Sequence, residues 1–192
     1  MAQPVVIDVE TQLTFRDVGG YIPQKLKISV AGLFDYATNT YLTFTESELP
    51  KLFPYLEHAS EVIGFNIVDF DLPALNPYYI GELARLPTID LLKHIEKSLG
   101  FRIALDDLVR ETLNAHKTGH GLLAIEYFKN QEWEKLKTYC LSDVKLTKEL
   151  YEYGKTHGKV FYKAPAGRRE ISVNWGQPRA SSSANVNLTL PW

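Results

Sequence analysis

The stretch Val5-Val6-Ile7-Asp8-Val9-Glu10-Thr11 decides how the rest of the chain is read. Its β-branched run has strand propensity, and near-continuous apolarity bounded by Pro4 and Thr11-Gln12 predicts a buried central strand. Asp8 and Glu10 interrupt that run. Side chains two apart on a strand share a face, so both carboxylates emerge side by side at the strand's end. Two like charges held that close repel and are costly to desolvate unless a cation lies between them. Oxygen-only donors suit Mg²⁺ or Mn²⁺. Asp-x-Glu by itself commonly marks no more than a solvated strand end, so a metal site needs further acids later in the chain.

Downstream, 12–24 reads as a loop with Gly19-Gly20 and Pro23. Residues 26–36 alternate Leu26, Ile28 and Val30 against Lys27, Ser29 and Ala31, the rhythm of a half-buried strand. A turn at Ala37-Thr38-Asn39 joins it to 41–44, completing a hairpin. Ser47 and Glu48 open an amphipathic helix with Leu49, Leu52, Phe53 and Leu56 on one face, ending near His58. Two short buried strands follow at 61–65 and 87–90, separated by a short helix broken around Asn76-Pro77. Helices are predicted at 91–99, 106–113, 122–128 and 132–153, with a loop at 116–121, and 159–163 reads as a further strand or edge element. Three antiparallel strands followed by strand-helix alternation give an α/β fold with a mixed central sheet flanked by helices. Past Pro165 the composition turns to Gly, Arg, Ser, Asn and Pro. The expected organisation is therefore one domain over 1–165 and a loosely ordered tail over 166–192.

The bulk composition agrees with one domain: 192 residues, 45% of them hydrophobic, bury one sizeable core. A net charge of -2 argues against binding nucleic acid through broad electrostatics. Two divalent cations at a carboxylate site would offset about four negative charges locally, so a phosphate substrate is compatible with that balance. Cys140 is the only cysteine, which leaves no internal disulfide, and no histidine spacing pairs with it as a zinc site. No apolar run is long enough to span a membrane and no secretory leader is visible, so the expectation is a cytoplasmic protein without membrane contact.

Two later features decide the functional reading. Asn66-x-x-x-Phe70-Asp71 puts an acid just after a buried strand, at the carboxyl end of the sheet where sites of open α/β folds lie. Tyr139 and Asp143 stand at i and i+4 on the long last helix, hence on one face. With Asp8 and Glu10 this makes four acids and a phenol that chain topology can bring together. At this point the sequence resembles the DEDD superfamily of 3′-to-5′ exonucleases, on a ribonuclease H-like fold. Asp8 and Glu10 match its first motif, Asn66, Phe70 and Asp71 its second, and Tyr139 with Asp143 the tyrosine form of its third. Thr138 occupies the position that the histidine form would need. The sequence is most similar to family-B polymerase proofreading domains and stand-alone relatives, and the likeness spans roughly residues 5 to 153.

The resemblance implies hydrolysis of nucleic acid from a free 3′ end to nucleoside 5′-monophosphates, with two Mg²⁺ or Mn²⁺ ions about 4 Å apart. It implies that Asp8 bridges both ions, that Glu10 and Asp143 complete the one nearer the nucleophile, and that Asp71 holds the other. Tyr139, a phenol with an ordinary pKa near 10, would orient the attacking water rather than deprotonate it. The favoured substrate is single-stranded DNA, with RNA the alternative, and a helicase, a polymerase or another protein partner is left open. A non-catalytic nucleic-acid-binding or assembly module on the same fold is the competing function. A phosphatase loop of the Asp-x-Asp-x-Thr type fits Asp8-Val9-Glu10-Thr11 only partly.

Each residue also has a plainer reading. Asp71 could cap the helix it opens. Tyr139 could be packing, and Asp143 a solvated helix residue. Asn66 is expected to hydrogen-bond backbone or substrate, and Phe70 either fills core space or stacks near the terminal base. Lys117 and His120, on the glycine-containing loop 116–121, are the phosphate-contact candidates, against a simply solvated loop. Lys155, His157, Lys159, Lys163, Arg168 and Arg169 form the most basic stretch, either a track for single-stranded nucleic acid or ordinary charged surface. Asp90, Asp106 and Asp107 read as helix-start acids outside the site.

Overall fold

The computed structural model describes residues 2–117, 119 and 121–175. Strand β1 (Val5–Thr11) lies at the centre of a five-stranded sheet. On one side it pairs antiparallel with β2 (Ile28–Asp35), which pairs antiparallel with β3 (Thr40–Thr45). On the other it pairs parallel with β4 (Val62–Gly64), which pairs parallel with β5 (Thr88–Asp90). The order is therefore β3-β2-β1-β4-β5. This is the mixed sheet expected, an antiparallel half and a parallel half meeting at the strand that carries Asp8 and Glu10.

Helices cover both faces. Helix α1 (Leu49–His58) buries Leu49, Leu52, Phe53 and Leu56, the stripe predicted for it. It shares a core with Val5, Ile7 and Val9 and with α2 (Asp71–Leu75). The opposite face of β1 presents Val6, Asp8 and Glu10. Val6 packs in a second core with α3 (Leu91–Leu99), α4 (Leu105–Leu113) and α6 (Trp133–His157). Helix α5 (Gly121–Lys129) brings Ala124 against Leu136 and Tyr139 of α6 in a smaller cluster with Val30. Gly158, with φ at +67°, ends the 25-residue α6 in a left-handed turn that glycine adopts without a side-chain clash. Among the described residues no helix is long and apolar enough to cross a membrane.

Two expectations need correction. Strand β2 is buried along its whole length, with Ser29 and Ala31 as enclosed as Ile28 and Val30. Alternating polarity suggested a half-buried strand, but β2 is an interior strand of the sheet, and α6 lies across the face that would otherwise be wet. The regular chain also does not end at 165. Strand β6 (Lys159–Ala164) pairs antiparallel with β7 (Gly167–Ser172) in a second small sheet, and Trp175 is buried in the second core. The remainder of the expected tail, 176–192, lies outside the described residues.

Candidate active site

The site forms where α6 crosses the sheet. Gly32 of β2 is the cross-strand partner of Asp8, and a Cβ added there would lie 2.9 Å from Cys140 Sγ and from Val144 Cγ2. No side chain fits, so the helix lies directly on the strands at this point. The Cys140 thiol donates to the Asp8 carbonyl at 3.5 Å. Cys140 lies between Tyr139 and Asp143 in sequence, so this contact sets the turn of α6 that carries both against the end of β1. The register of β1 against β2 shifts between Glu10 and Thr11, an irregularity of the kind that re-aims side chains at functional sites.

Carboxylate oxygens of Asp8, Glu10 and Asp143 lie within 4.8 Å of one another. Glu10 and Asp143 are buried and Asp8 is partly so. Burial, followed by the repulsion of Asp143 and the other acids, pushes Asp8 and Glu10 well above the usual carboxylate range. Asp143 is raised mainly by burial and pulled back by Lys117. Asp143 Oδ1 and the Tyr139 hydroxyl are both buried without a hydrogen-bond partner among the described residues. Buried polar atoms normally have one, and here an ion, a water or a substrate atom would supply it. Three convergent carboxylates with orphaned oxygens at their edge fit a hard divalent cation.

Asp71 stands differently. It opens α2 from the far side of β1, and its Oδ1 accepts the Val9 N–H at 2.9 Å, between the two first-motif acids. Burial raises its pKa to about 7 despite that hydrogen bond. Its charge still contributes to raising Asp8 and Glu10, although its oxygens lie outside the three-acid group.

Asn66 sits in the left-handed region at φ +70°, a conformation asparagine tolerates better than most residues. Its side-chain oxygen accepts from the Arg102 guanidinium. Phe70 packs against the first core and also lines the cavity of about 390 Å³ that holds the acids. Its ring meets Phe15 edge-on at 5.9 Å, and Phe15 stacks on Tyr21 at 4.5 Å.

Lys117, expected as a phosphate contact or else a solvated loop residue, is turned in toward the acids. Its Nζ lies 2.6 Å from Asp143 Oδ2, and its backbone N–H donates to Asp106 Oδ1 at 2.8 Å. Burial alone would depress the ammonium's pKa, but Asp143, Asp8 and Glu10 outweigh it and hold the lysine above its ordinary range. His120, the other candidate on this loop, lies outside the described residues.

Sequence reading missed a further organiser, Asp90. It does cap α3 as expected, accepting the Lys93 N–H at 3.2 Å. It also accepts the N–H groups of Asn66 and Val68, each at 3.0 Å, and so ties down the turn leading to Phe70 and Asp71. An acid ending a strand next to a second strand-to-helix turn was the available signal. The sequence marked Lys117 as a loop donor but gave no sign of its pairing with Asp143.

No model of a known protein family matches the chain, and no curated protein does. Among solved structures it is similar to the family B DNA polymerase from the hyperthermophilic archaeon Pyrobaculum calidifontis, with a TM-score of 0.59 and 16% identity. The match covers 80% of this chain and 24% of that polymerase, so this chain corresponds in extent to about a quarter of it. At this identity the likeness is one of fold: the mixed α/β sheet with flanking helices is the ribonuclease H-like architecture.

Proposed function

We propose that this chain is a metal-dependent 3′-to-5′ exonuclease of the tyrosine subclass, acting on single-stranded nucleic acid, with DNA favoured. The observation that carries this reading is the meeting of Asp8 and Glu10 from β1 with Asp143 from α6. Tyr139, whose buried hydroxyl has no partner among the described residues, lines the same cavity. Asp8, Glu10 and Asp143 would hold divalent cations, with Asp71 contributing from the other side of Val9. Bound there, such ions lower the pKa of a water and stabilise a leaving 3′ oxygen.

The protein's own groups would divide the remaining work. Burial, then the charges of Asp143 and Glu10, pushes the Tyr139 phenol above its ordinary range, so it stays protonated at neutral pH. It therefore acts as a donor that orients the attacking water and not as the base. Lys117 supplies positive charge beside Asp143, where a non-bridging phosphate oxygen would come to lie. The aromatic group of Phe15, Tyr21 and Phe70 offers apolar surface next to the acids.

The test is degradation of 5′-labelled DNA and RNA oligonucleotides with Mg²⁺, Mn²⁺ or EDTA. The expected result is a ladder shortening from the 3′ end, abolished by EDTA and by Asp8→Ala. Tyr139→Phe should slow it roughly tenfold, the worth of one positioning hydrogen bond. Absence of a ladder with either metal, while oligonucleotides still bind, would overturn the catalytic reading. It would favour a non-catalytic binding module, for which one observation speaks: the Lys117 ammonium already compensates part of the acid charge without any cation.

A further inference from the structure

Beyond the acids, the surface has a second feature that the proposed chemistry does not use. A cavity of about 690 Å³ opens against Asp8 and Lys117 and is walled on its far side by Arg102, Ile103 and Ala104. The same three residues wall an adjoining cavity of about 580 Å³, whose other side is formed by Tyr162, Lys163 and Arg169 of the β6–β7 hairpin. The two adjoin at those residues, one reaching the acids and the other the hairpin, as the two ends of a trough. We propose that this trough binds the single-stranded segment upstream of the 3′ terminus, with the hairpin as its outer contact. This rests on the exonuclease reading for its direction, but not for its existence.

Three observations point to that occupant. First, the hairpin's cations are unequally committed. Lys159 is paired with Glu170 at 2.8 Å, and Arg168 lies over the Phe161 ring and donates to the Glu111 carbonyl. Among the described residues, Lys163 and Arg169 have no such partner; both are exposed and line this second cavity, Arg169 from the Tyr162 face of the hairpin and Lys163, one residue on, from the other face. Beyond Asp8, the acids lining the two cavities are engaged: Asp107 by Arg110 at 3.4 Å, and Asp106 by Arg110 and by the Lys117 N–H. Second, Phe101 is 49% exposed and meets the Tyr162 ring edge-on at 6.1 Å. A half-exposed aromatic beside such cations is the pairing that binds single strands, because every base has a face to stack while the cations follow the backbone.

Third, the wall is fixed. The Thr112 hydroxyl of α4 accepts the Phe161 N–H at 2.9 Å and donates to the Phe161 carbonyl at 3.1 Å, and Val160, Ile171 and Trp175 anchor the hairpin in the core. Contacts presented on a fixed element lose less entropy on binding than contacts on a loose one. Tyr162 and Arg169 are direct cross-strand partners, so one aromatic and one cation project from the same point of the hairpin.

The experiment measures anisotropy of a 5′-labelled oligothymidylate of about 12 nucleotides, within the usual site size for such proteins. It is done in EDTA over a salt series, with wild type, Lys163→Glu/Arg169→Glu and Phe101→Ala. Reversing the two cations is expected to weaken binding at least about tenfold and to make the log–log salt slope shallower by about 1.4, two lost phosphate contacts on a single strand. Phe101→Ala should weaken binding about tenfold with the slope unchanged. If the double reversal fails to fold, Lys163→Gln/Arg169→Gln gives the same readout at smaller amplitude. With Mg²⁺, the double variant should keep the wild-type rate on a dinucleotide while its KM for the 12-mer rises.

Wild-type affinity and slope in the double variant would overturn the proposal, as would failure of the wild type to bind the 12-mer. The two proposals fail separately. Weakened binding in a protein that cuts nothing removes the exonuclease reading and leaves the trough. Normal cutting with unmoved binding removes the trough and leaves the exonuclease.

Discussion

Lys117 Nζ and Asp143 Oδ2 lie 2.6 Å apart, with the lysine side chain only 24% exposed and that of the aspartate 4%. The ammonium is thus an internal counter-ion for the acid cluster. Replacing it by Met leaves a buried charge uncompensated, which in a partly screened pair should cost about 2–3 kcal/mol in the metal-free protein. A divalent cation should restore more stability to Lys117→Met than it adds to wild type, because it no longer competes with the ammonium. Melting temperatures of both proteins in EDTA and in Mn²⁺ decide this, and equal gains would refute it.

The acids also set a pH dependence. Asp71 has a folded pKa of about 7, against 3.8 when unperturbed. Between those values the native chain holds more protons than the unfolded one, so unfolding free energy falls as pH rises through the window. In EDTA the protein should be more stable at pH 5 than at pH 8, by about 2–3 kcal/mol from Asp71 alone. Asp8 and Glu10, shifted in the same direction, add to this. Asp71→Asn should flatten the profile, and divalent cations, which need ionised ligands, should stabilise most at the alkaline end. Denaturant titrations at the two pH values check both points.

Gly32 permits the approach of α6 to the sheet, so Gly32→Ala should act at a distance on Tyr139 and Asp143. The added methyl group would collide with Cys140 and Val144. Overpacking of this kind costs about 1–3 kcal/mol, and a shift of α6 by a fraction of an ångström should lower the proposed exonuclease activity by more than the loss of stability explains. Unchanged activity in a destabilised but folded variant would show that the helix position is not critical.

Asp90→Ala should unfasten the turn at 66–68. Three backbone N–H groups lose their acceptor, and the expected destabilisation is about 2–4 kcal/mol, with Asp90→Asn milder. Since this turn leads into Phe70 and Asp71, hydrogen exchange of the Val68 amide should accelerate in the variant beyond the global change. A uniform acceleration across the sheet would contradict a local role.

The fold was largely visible in the chain because its signals are local. Alternation, helix stripes and stop residues gave the five strands in order and the helices within a few residues of their ends. The acids were visible for a different reason: Asp8 and Glu10 interrupt an apolar run, and Asp143 stands one helical turn from Tyr139. What escaped depended on contacts between distant segments. Ser29 looks solvated until α6 is laid across β2, and Lys117 looks like a surface lysine until its loop folds back over the acids. Gly167 to Trp175 read as tail because Gly-Arg-Arg-Glu carries no apolar rhythm. Only Val160, opposite Ile171 in the pairing, and the fit of Trp175 against Gly154 reveal that it closes the core.

That last fit has a mechanical consequence. A Cβ on Gly154 would lie 2.3 Å from the Trp175 ring, so the indole is wedged against the far end of α6. Asp143 is three turns earlier on the same helix, roughly 16 Å along its axis. One stiff rod therefore couples the seat of the carboxy-terminal hairpin to the acids. A load placed on the hairpin, as by a strand lying in the trough, would be transmitted to Asp143 as a displacement of the rod rather than dissipated in a loop.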